Sequence, residues 1–157
     1  MSVQSANLIA DYLDHALNVR GFSPHTVRGY CADLEQFNRW IDDFGLDILS
    51  ITYRQLRGYL AYLSQAGYTK TTISRRLSTV RSFFSYLVES EVRTDNPASL
   101  LRNPKMGRQL PKALTQSDIE ALFAVVGDAT PEEMRDGALL EFMYATGARV
   151  AEISGRC

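Results

Sequence analysis

The sequence predicts an all-α protein, with a bundle of four or five helices in residues 1–102 and a shorter helical segment after it. Apolar residues recur every three or four positions along most of the chain, which is the spacing of one face of a helix. Serine and threonine stand just ahead of several of these stretches, where their hydroxyls can cap a helix. No convincing alternation of apolar and polar residues occurs in residues 1–102, and no strand is predicted there.

The first two predicted helices end at glycines. The first carries apolar residues at helix spacing over residues 8–17 and ends at Gly21. Ser23 and Pro24 begin the second helix, as a capping hydroxyl followed by proline at the first helical position, and Gly45 ends it. The residues that predict the core face of the second helix are Val27, Tyr30, Cys31, Leu34, Phe37, Ile41 and Phe44.

The next helices begin at hydroxyl or amide side chains. Thr52 and Gln55 form a capping box for the third helix, which ends at Gly67. The fourth and longest helix runs from residue 69 to about residue 89, and a short fifth one is predicted to begin at Asn96. The apolar stripe of the fourth helix consists of Ile73, Leu77, Val80, Phe84 and Leu87.

The chain changes character after residue 102. Residues 103–113 contain two prolines, a glycine and three basic side chains, which is typical of an extended linker. Beyond it, Thr115 with Asp118 and Thr130 followed by proline and two acids predict two more helix starts, and a last element begins near Arg149. We therefore predict a helical domain in residues 1–102, a linker in 103–113, and the truncated start of a second domain in 114–157.

Composition excludes several classes of protein. Hydrophobic residues make up 45% of the chain and charged residues 22%, which is typical of a soluble domain and not of a disordered or collagen-like chain. No apolar run approaches the roughly 20 residues that a membrane helix needs. Because Cys31 and Cys157 are too few and too far apart for a disulfide framework or a CxxC metal site, we expect a reducing compartment, the cytoplasm.

Positive charge is concentrated in the middle of the chain. The net charge of −1 divides into −4 over residues 1–50, +8 over residues 51–112 and −5 over residues 113–157. Uniform solubilising charge does not separate in this way, whereas a surface that faces a polyanion does. Charge alone leaves nucleic-acid binding and simple solvation of the helices equally open.

The fourth helix predicts which surface faces that polyanion. No acid occurs between Thr69 and Val88, and Arg76 and Arg81 flank the apolar stripe. Opposite the stripe lie Thr71, Ser74, Arg75, Ser78, Thr79, Ser82 and Ser85. Small hydroxyls allow a helix to approach a phosphate backbone, and arginine supplies forked donors, so this face favours DNA over a protein partner.

The start of the second helix repeats this composition, and a helix N-terminus attracts phosphate. The candidate DNA-binding residues are Ser23, His25, Thr26, Arg28, Lys70, Thr71, Thr72, Arg75, Arg76 and Thr79. No nucleotide-binding glycine motif, metal-ligand spacing or nucleophilic triad is present in the sequence. The aromatic residues at core spacing are predicted to pack and not to stack on bases, and they are Tyr12, Tyr30, Phe37, Phe83 and Phe84.

The C-terminal sequence carries the most specific motif. Arg-Asp-Gly-Ala-Leu-Leu-Glu at 135–141 and Tyr-Ala-Thr-Gly-Ala-Arg-Val-Ala-Glu-Ile at 144–153 resemble the first catalytic box of the tyrosine recombinases, close to RDxALLxLLYxTGLRVSEL. Residues 21–30 and 72–83 resemble two helices of the DNA-binding domain of that family, in its Xer-like and phage-integrase-like members. One departure is Ala148, where the family usually has leucine.

The resemblance implies that residues 1–102 are a SAM-like core-binding domain, one half of a clamp around duplex DNA. Arg149 would match the first catalytic arginine, which holds the scissile phosphate, and Glu152 the acid that supports it. The family cleaves DNA through a 3′-phosphotyrosine, without metal, cofactor or ATP, and its subunits assemble with homologous or paralogous subunits on DNA. The implied chemistry also needs a lysine, a His-x-x-Arg box and a tyrosine downstream of Arg149, so we expect this chain alone to be inactive.

Three interpretations stay open. The chain is a truncated recombinase that binds DNA without cutting it, a DNA-binding domain that works without catalysis, or a helical module for an acidic protein partner. The string His25-Thr-Val-Arg28 is not taken as the His-x-x-Arg box, because it precedes Arg149 and lies in the first domain. The sequence does not decide between chromosome-dimer resolution and integration of an element.

Overall fold

The computed structural model describes residues 3–105, 113–127 and 129–155. Within these ranges the regular secondary structure is helical, with no strand, which confirms the predicted all-α fold. The helices are α1 (Val3–Asn18), α2 (Pro24–Asp43), α3 (Tyr53–Gln65), α4 (Lys70–Glu89), α5 (Gln116–Val125), α6 (Pro131–Thr146) and α7 (Val150–Ile153). The chain divides into two compact units, unit 1 (Met1–Gly107) and unit 2 (Arg108–Cys157).

Local capping contacts explain where the helices begin. The Ser23 hydroxyl accepts a hydrogen bond from the backbone N–H of Thr26 over 3.2 Å, and Pro24 opens the first turn of α2. The later helix starts are confirmed by hydroxyl caps at Thr52, Thr69, Thr115 and Thr130. These caps satisfy N–H groups that have no partner inside the helix, and for that reason short sequence patterns could locate them.

Aromatic rings fill the core of unit 1. The rings that the sequence predicted to pack are buried or half-buried, namely Tyr12, Tyr30, Phe37, Phe83 and Phe84. Phe37 lies 6.0 Å from Trp40 and 5.0 Å from Tyr59 between ring centroids, and all three rings are buried. Phe44 was predicted to join this core, but it is 62% exposed and stands at the C-cap position, where α2 ends.

The predicted fifth helix at Asn96 is wrong, since residues 97–100 form a turn. The N–H of Ser99 bonds to the carbonyl of Asn96, and the N–H of Leu101 to that of Ala98, each over 3.1 Å and three residues back. The Asn96 amide also donates to the carbonyl of Arg81 over 3.1 Å. This side-chain hydrogen bond holds residues 96–100 against α4, and no further helix forms there.

Two arginines hold loops of unit 1 by binding backbone carbonyls. Arg81, on α4, donates to the carbonyl of Leu101 over 2.9 Å. Arg93 donates to the carbonyls of Ile48, Leu49 and Ile51, in the connection between α2 and α3. Both arginines belong to the basic middle of the sequence, but their charges are engaged inside the protein.

Unit 2 contains α5, α6 and α7 but has no buried side chain among its described helical residues. Gly147 ends α6 with φ at 68°, a left-handed conformation that favours glycine, as the helix stop predicted. Large apolar side chains stay exposed along these helices, among them Val125, Met134, Phe142, Tyr144 and Val150. Residues 106–112 of the predicted linker lie outside the described residues.

Candidate nucleic-acid interface

The helices α2 and α4 begin with the same arrangement of hydroxyl groups. In α2 the hydroxyls of Ser23 and Thr26 are hydrogen-bonded over 2.9 Å. In α4 the hydroxyls of Thr69 and Thr72 are hydrogen-bonded over 3.0 Å, and Thr69 also accepts from the N–H of Thr72 over 3.3 Å. Ser23, Thr26 and Thr72, which the sequence singled out as candidate DNA contacts, therefore already take part in helix capping.

An open groove of about 500 Å³ combines residues from both helices. Its lining consists of His25, Thr26, Gly29, Tyr30, Ala32 and Arg75. The structure thus brings together His25 and Thr26 from the start of α2 and Arg75 from α4, which are far apart in sequence. None of the six lining residues is acidic, although Arg75 itself pairs with the buried carboxylate of Asp33.

Asp33 lies beneath this groove and joins α2 to α4. Its side chain is only 2% exposed, and its Oδ2 atom lies 2.5 Å from Nη1 of Arg75. The same oxygen accepts a hydrogen bond from the hydroxyl of Thr79 over 3.0 Å. The second oxygen, Oδ1, lies 3.6 Å from Nε of Arg76. One carboxylate therefore contacts three side chains of α4.

Thr79 is the clearest correction to the predicted binding face. It was placed opposite the apolar stripe, but it is fully buried, because its hydroxyl faces Asp33. The sequence did not single out Asp33, although a signal was present. Asp33 stands three residues after Tyr30 and four before Phe37, which is a core-facing position on α2.

Arg76 also lies inside unit 1 and not on an open face. Its side chain is 13% exposed, and its guanidinium lies 3.9 Å above the centroid of the Tyr68 ring. A hydrogen bond from Arg76, followed by the positive charge of Arg76, lowers the pKa of Tyr68. The Tyr68 hydroxyl also accepts a hydrogen bond from Gln36 Nε2 over 2.9 Å. Arg76 thus acts in packing, and we leave Arg76 and Thr79 out of the candidate interface.

The remaining candidates lie at the surface. Arg28, Lys70 and Thr71 are exposed, and Thr72 is half-buried. Lys70 Nζ donates to the carbonyl of Lys105 over 3.2 Å, a contact that holds the end of unit 1 near the start of α4. These positions surround the first turns of the two helices, where N–H groups and the positive end of the helix dipole favour anions.

Arg149 and Glu152 form a separate site in unit 2. Nη1 of Arg149 lies 3.0 Å from Oε1 of Glu152, and Oε2 of the same carboxylate accepts the backbone N–H of Arg149 over 2.8 Å. The Arg149 side chain is 83% exposed. Glu152 thus holds one end of the guanidinium, while the other donors face solvent and can bind an anionic group.

The described ranges contain neither a metal-binding cluster nor a membrane-spanning helix. No group of three or more His, Cys, Asp or Glu side chains there could hold a metal ion. No described helix is both long and apolar enough to span a membrane. Cys31 is a free thiol in the part of the chain that the structure describes, and burial raises its pKa.

Comparison with known proteins gives consistent matches. Residues 9–91 match the family model described as phage integrase, N-terminal SAM-like domain. The chain is 39% identical over 153 residues to tyrosine recombinase XerD of Xanthomonas axonopodis pv. citri, covering 98% of this chain and 50% of that protein. It is 38% identical over 148 residues to tyrosine recombinase XerC of Staphylococcus aureus, covering 94% and 50%. The chain therefore spans about half the length of the curated relatives it matches.

Proposed function

The chain belongs to the phage integrase family, and from this premise we propose that it is the DNA-binding portion of a site-specific tyrosine recombinase. The groove between α2 and α4 carries the proposal, because His25, Thr26 and Arg75 meet there and no acidic residue belongs to its lining. Arginine offers forked donors that match phosphate geometry, and the helix start adds a positive dipole. We also propose a cytoplasmic location, which the cysteine content predicts and which agrees with a DNA partner.

The charge available to DNA is smaller than the +8 of residues 51–112. Arg76, Arg81 and Arg93 from that segment are engaged inside unit 1. The exposed basic residues of the described part of unit 1 include Arg28, Arg54, Arg57, Lys70, Arg75, Arg102 and Lys105. We infer that about four of them neutralise phosphates. A plot of log K for binding against the logarithm of salt concentration should then have a slope of about −3.6.

Titration of a labelled duplex at several salt concentrations tests this function. A slope near −3.6 is expected, and Arg28→Ala should reduce it by roughly 0.9, the share of one phosphate contact. Arg57→Ala, an exposed change on α3, is the matched control and should reduce the slope less. A slope near zero would overturn the DNA function and favour the helical protein-interaction module.

We also propose that Arg149 binds the scissile phosphate in the whole protein, with Glu152 fixing its orientation. Attack on a phosphodiester places negative charge on the non-bridging oxygens, and a held guanidinium stabilises that charge. The exposed donors of Arg149 are suited to this role, because Glu152 occupies only Nη1. Strand cleavage through a tyrosine, and assembly with related subunits on DNA, are the activities proposed for the protein with the full length of its relatives.

A further inference from the structure

We propose that Asp33 is a positioning residue for DNA binding, which holds Nη1 of Arg75 so that the remaining guanidinium donors meet a DNA phosphate in the groove. The inference rests on the proposed DNA-binding function, which it deepens by assigning a second, buried residue to the interface. Asp33 touches no ligand itself. It acts through Arg75, which lines the groove.

The exposure of the two side chains supports this division of roles. The Asp33 side chain is 2% exposed, whereas that of Arg75 is 53% exposed although their atoms lie 2.5 Å apart. A buried carboxylate needs partners, and Asp33 finds them in Arg75 and in the Thr79 hydroxyl at 3.0 Å. Because the Thr79 hydroxyl holds the Asp33 carboxylate in place, the carboxylate can in turn hold the half-exposed guanidinium of Arg75 in one orientation.

The shape of the guanidinium explains how one side chain can serve two anions. Arginine presents five N–H donors in a planar fork, so Nη1 can bind Asp33 while the other nitrogens stay available. An arginine held in this way loses less rotamer freedom when it binds phosphate than a free surface arginine does. A lysine at this position would carry its charge and all three donors on one nitrogen, so pairing with Asp33 would hold that whole charge at the carboxylate.

Simple electrostatics predicts the opposite effect of Asp33. If the carboxylate were only a negative charge near DNA, its removal would strengthen binding to the polyanion. If it only locked α2 to α4, its removal would change stability and leave the affinity of the folded chain unchanged. Weaker binding by a folded variant without this charge is therefore specific to a positioning role.

The experiment compares duplex affinity for the unsubstituted chain, Asp33→Asn, Arg75→Ala and the double variant, with folding checked by circular dichroism. Arg75→Ala should weaken binding by about 5- to 150-fold, the range for one arginine contact. Asp33→Asn should weaken it by about fivefold, and in the Arg75→Ala background it should cause no further loss. Glu35→Gln is the matched control, because it removes an exposed acid of the same helix, and it should leave affinity unchanged or slightly raised.

A second variant keeps the test decisive if Asp33→Asn does not fold. Arg75→Lys keeps the ion pair with Asp33 but loses the fork, and it should bind about as weakly as Arg75→Ala. Unchanged or tighter binding by folded Asp33→Asn, additive losses in the double variant, or full affinity of Arg75→Lys would overturn the positioning role while DNA binding stands. No binding by the unsubstituted chain would overturn the proposed function and this inference with it.

Discussion

Arg93 and Asp95 form an ion pair of 2.8 Å between Nη2 and Oδ1, just after the end of α4. The Arg93 side chain is only 7% exposed, whereas that of Asp95 is 64% exposed. Arg93 also donates to three carbonyls of the connection between α2 and α3, at Ile48, Leu49 and Ile51. Asp95 thus balances the charge of Arg93, while the other donors of Arg93 bind the connection between α2 and α3.

Replacing Arg93 by alanine should destabilise unit 1 by about 3 kcal/mol, because three part-buried hydrogen bonds to backbone carbonyls lose their donor. Urea unfolding followed by circular dichroism measures the change. Arg57→Ala, on the exposed side of α3, should stay within about 0.5 kcal/mol of the unsubstituted chain. Equal stability of the Arg93 and Arg57 variants would show that the loop does not depend on this guanidinium.

The stability of unit 1 should fall as pH rises from 10 to 12. Burial raises the pKa of Tyr12 to about 12 from its usual 10.0, partly offset by a hydrogen bond to Ser82. Above pH 10 the unfolded chain releases this proton while the folded chain retains it, and ionisation therefore favours unfolding until the folded pKa is passed. Tyr12→Phe should flatten the fall in unfolding free energy measured across this range, and an unchanged slope would contradict the assignment.

Glu91→Gly should stabilise unit 1 by about 0.5–1 kcal/mol, because Glu91 is held with φ at 58°, where a side chain is strained and glycine is not. The backbone N–H groups of Val92 and Arg93 both bond to the carbonyl of Leu87, and these bonds fix that turn. Thermal unfolding measures the gain. The neighbouring change Ser90→Gly, at φ of −87°, should lower stability instead, and the same sign for both variants would refute the argument.

In a protein with the full length of its relatives, Arg149→Ala should slow strand cleavage by about 100-fold or more while duplex affinity stays nearly the same. The reason is that Arg149 would act on the reacting phosphate, whereas most binding contacts are assigned to unit 1. Covalent trapping on a nicked substrate measures cleavage. Glu120→Gln, an exposed change on α5 outside the residues that resemble the catalytic box, should cleave normally, and equal rates for the two variants would end the assignment of Arg149.

Local patterns in the sequence predicted the helices well. Ser23, Thr52 and Thr130 cap the helices that were expected to begin there, because each cap depends on residues only three positions away. The helix stop at Gly147 was predictable for the same reason. The family and the all-α fold were also confirmed, whereas the contact of the candidate residues with DNA and the role of the catalytic box stay predictions.

Roles that depend on distant partners could not be predicted in this way. Arg75, Arg76, Arg81 and Arg93 contribute equally to a sum of charge. Only Arg75 lines the groove, where it stays half exposed although it pairs with Asp33, while the other three bind an aromatic ring or backbone carbonyls inside unit 1. Thr79 was assigned to the wrong face because it bonds Asp33, which is 46 positions away. Helix projection gives the direction of a side chain but not the partner that it meets.

The exposure of the apolar side chains in unit 2 has a consequence for hydrogen exchange. The urea dependence of an opening reaction grows with the surface that it newly exposes to solvent. Since α5, α6 and α7 have no buried side chain among their described residues, opening them uncovers little new surface, and their amides should exchange at rates nearly independent of urea. The amides of α4 around Leu77 and Phe84, which are fully buried, should exchange only through an opening that urea strongly promotes.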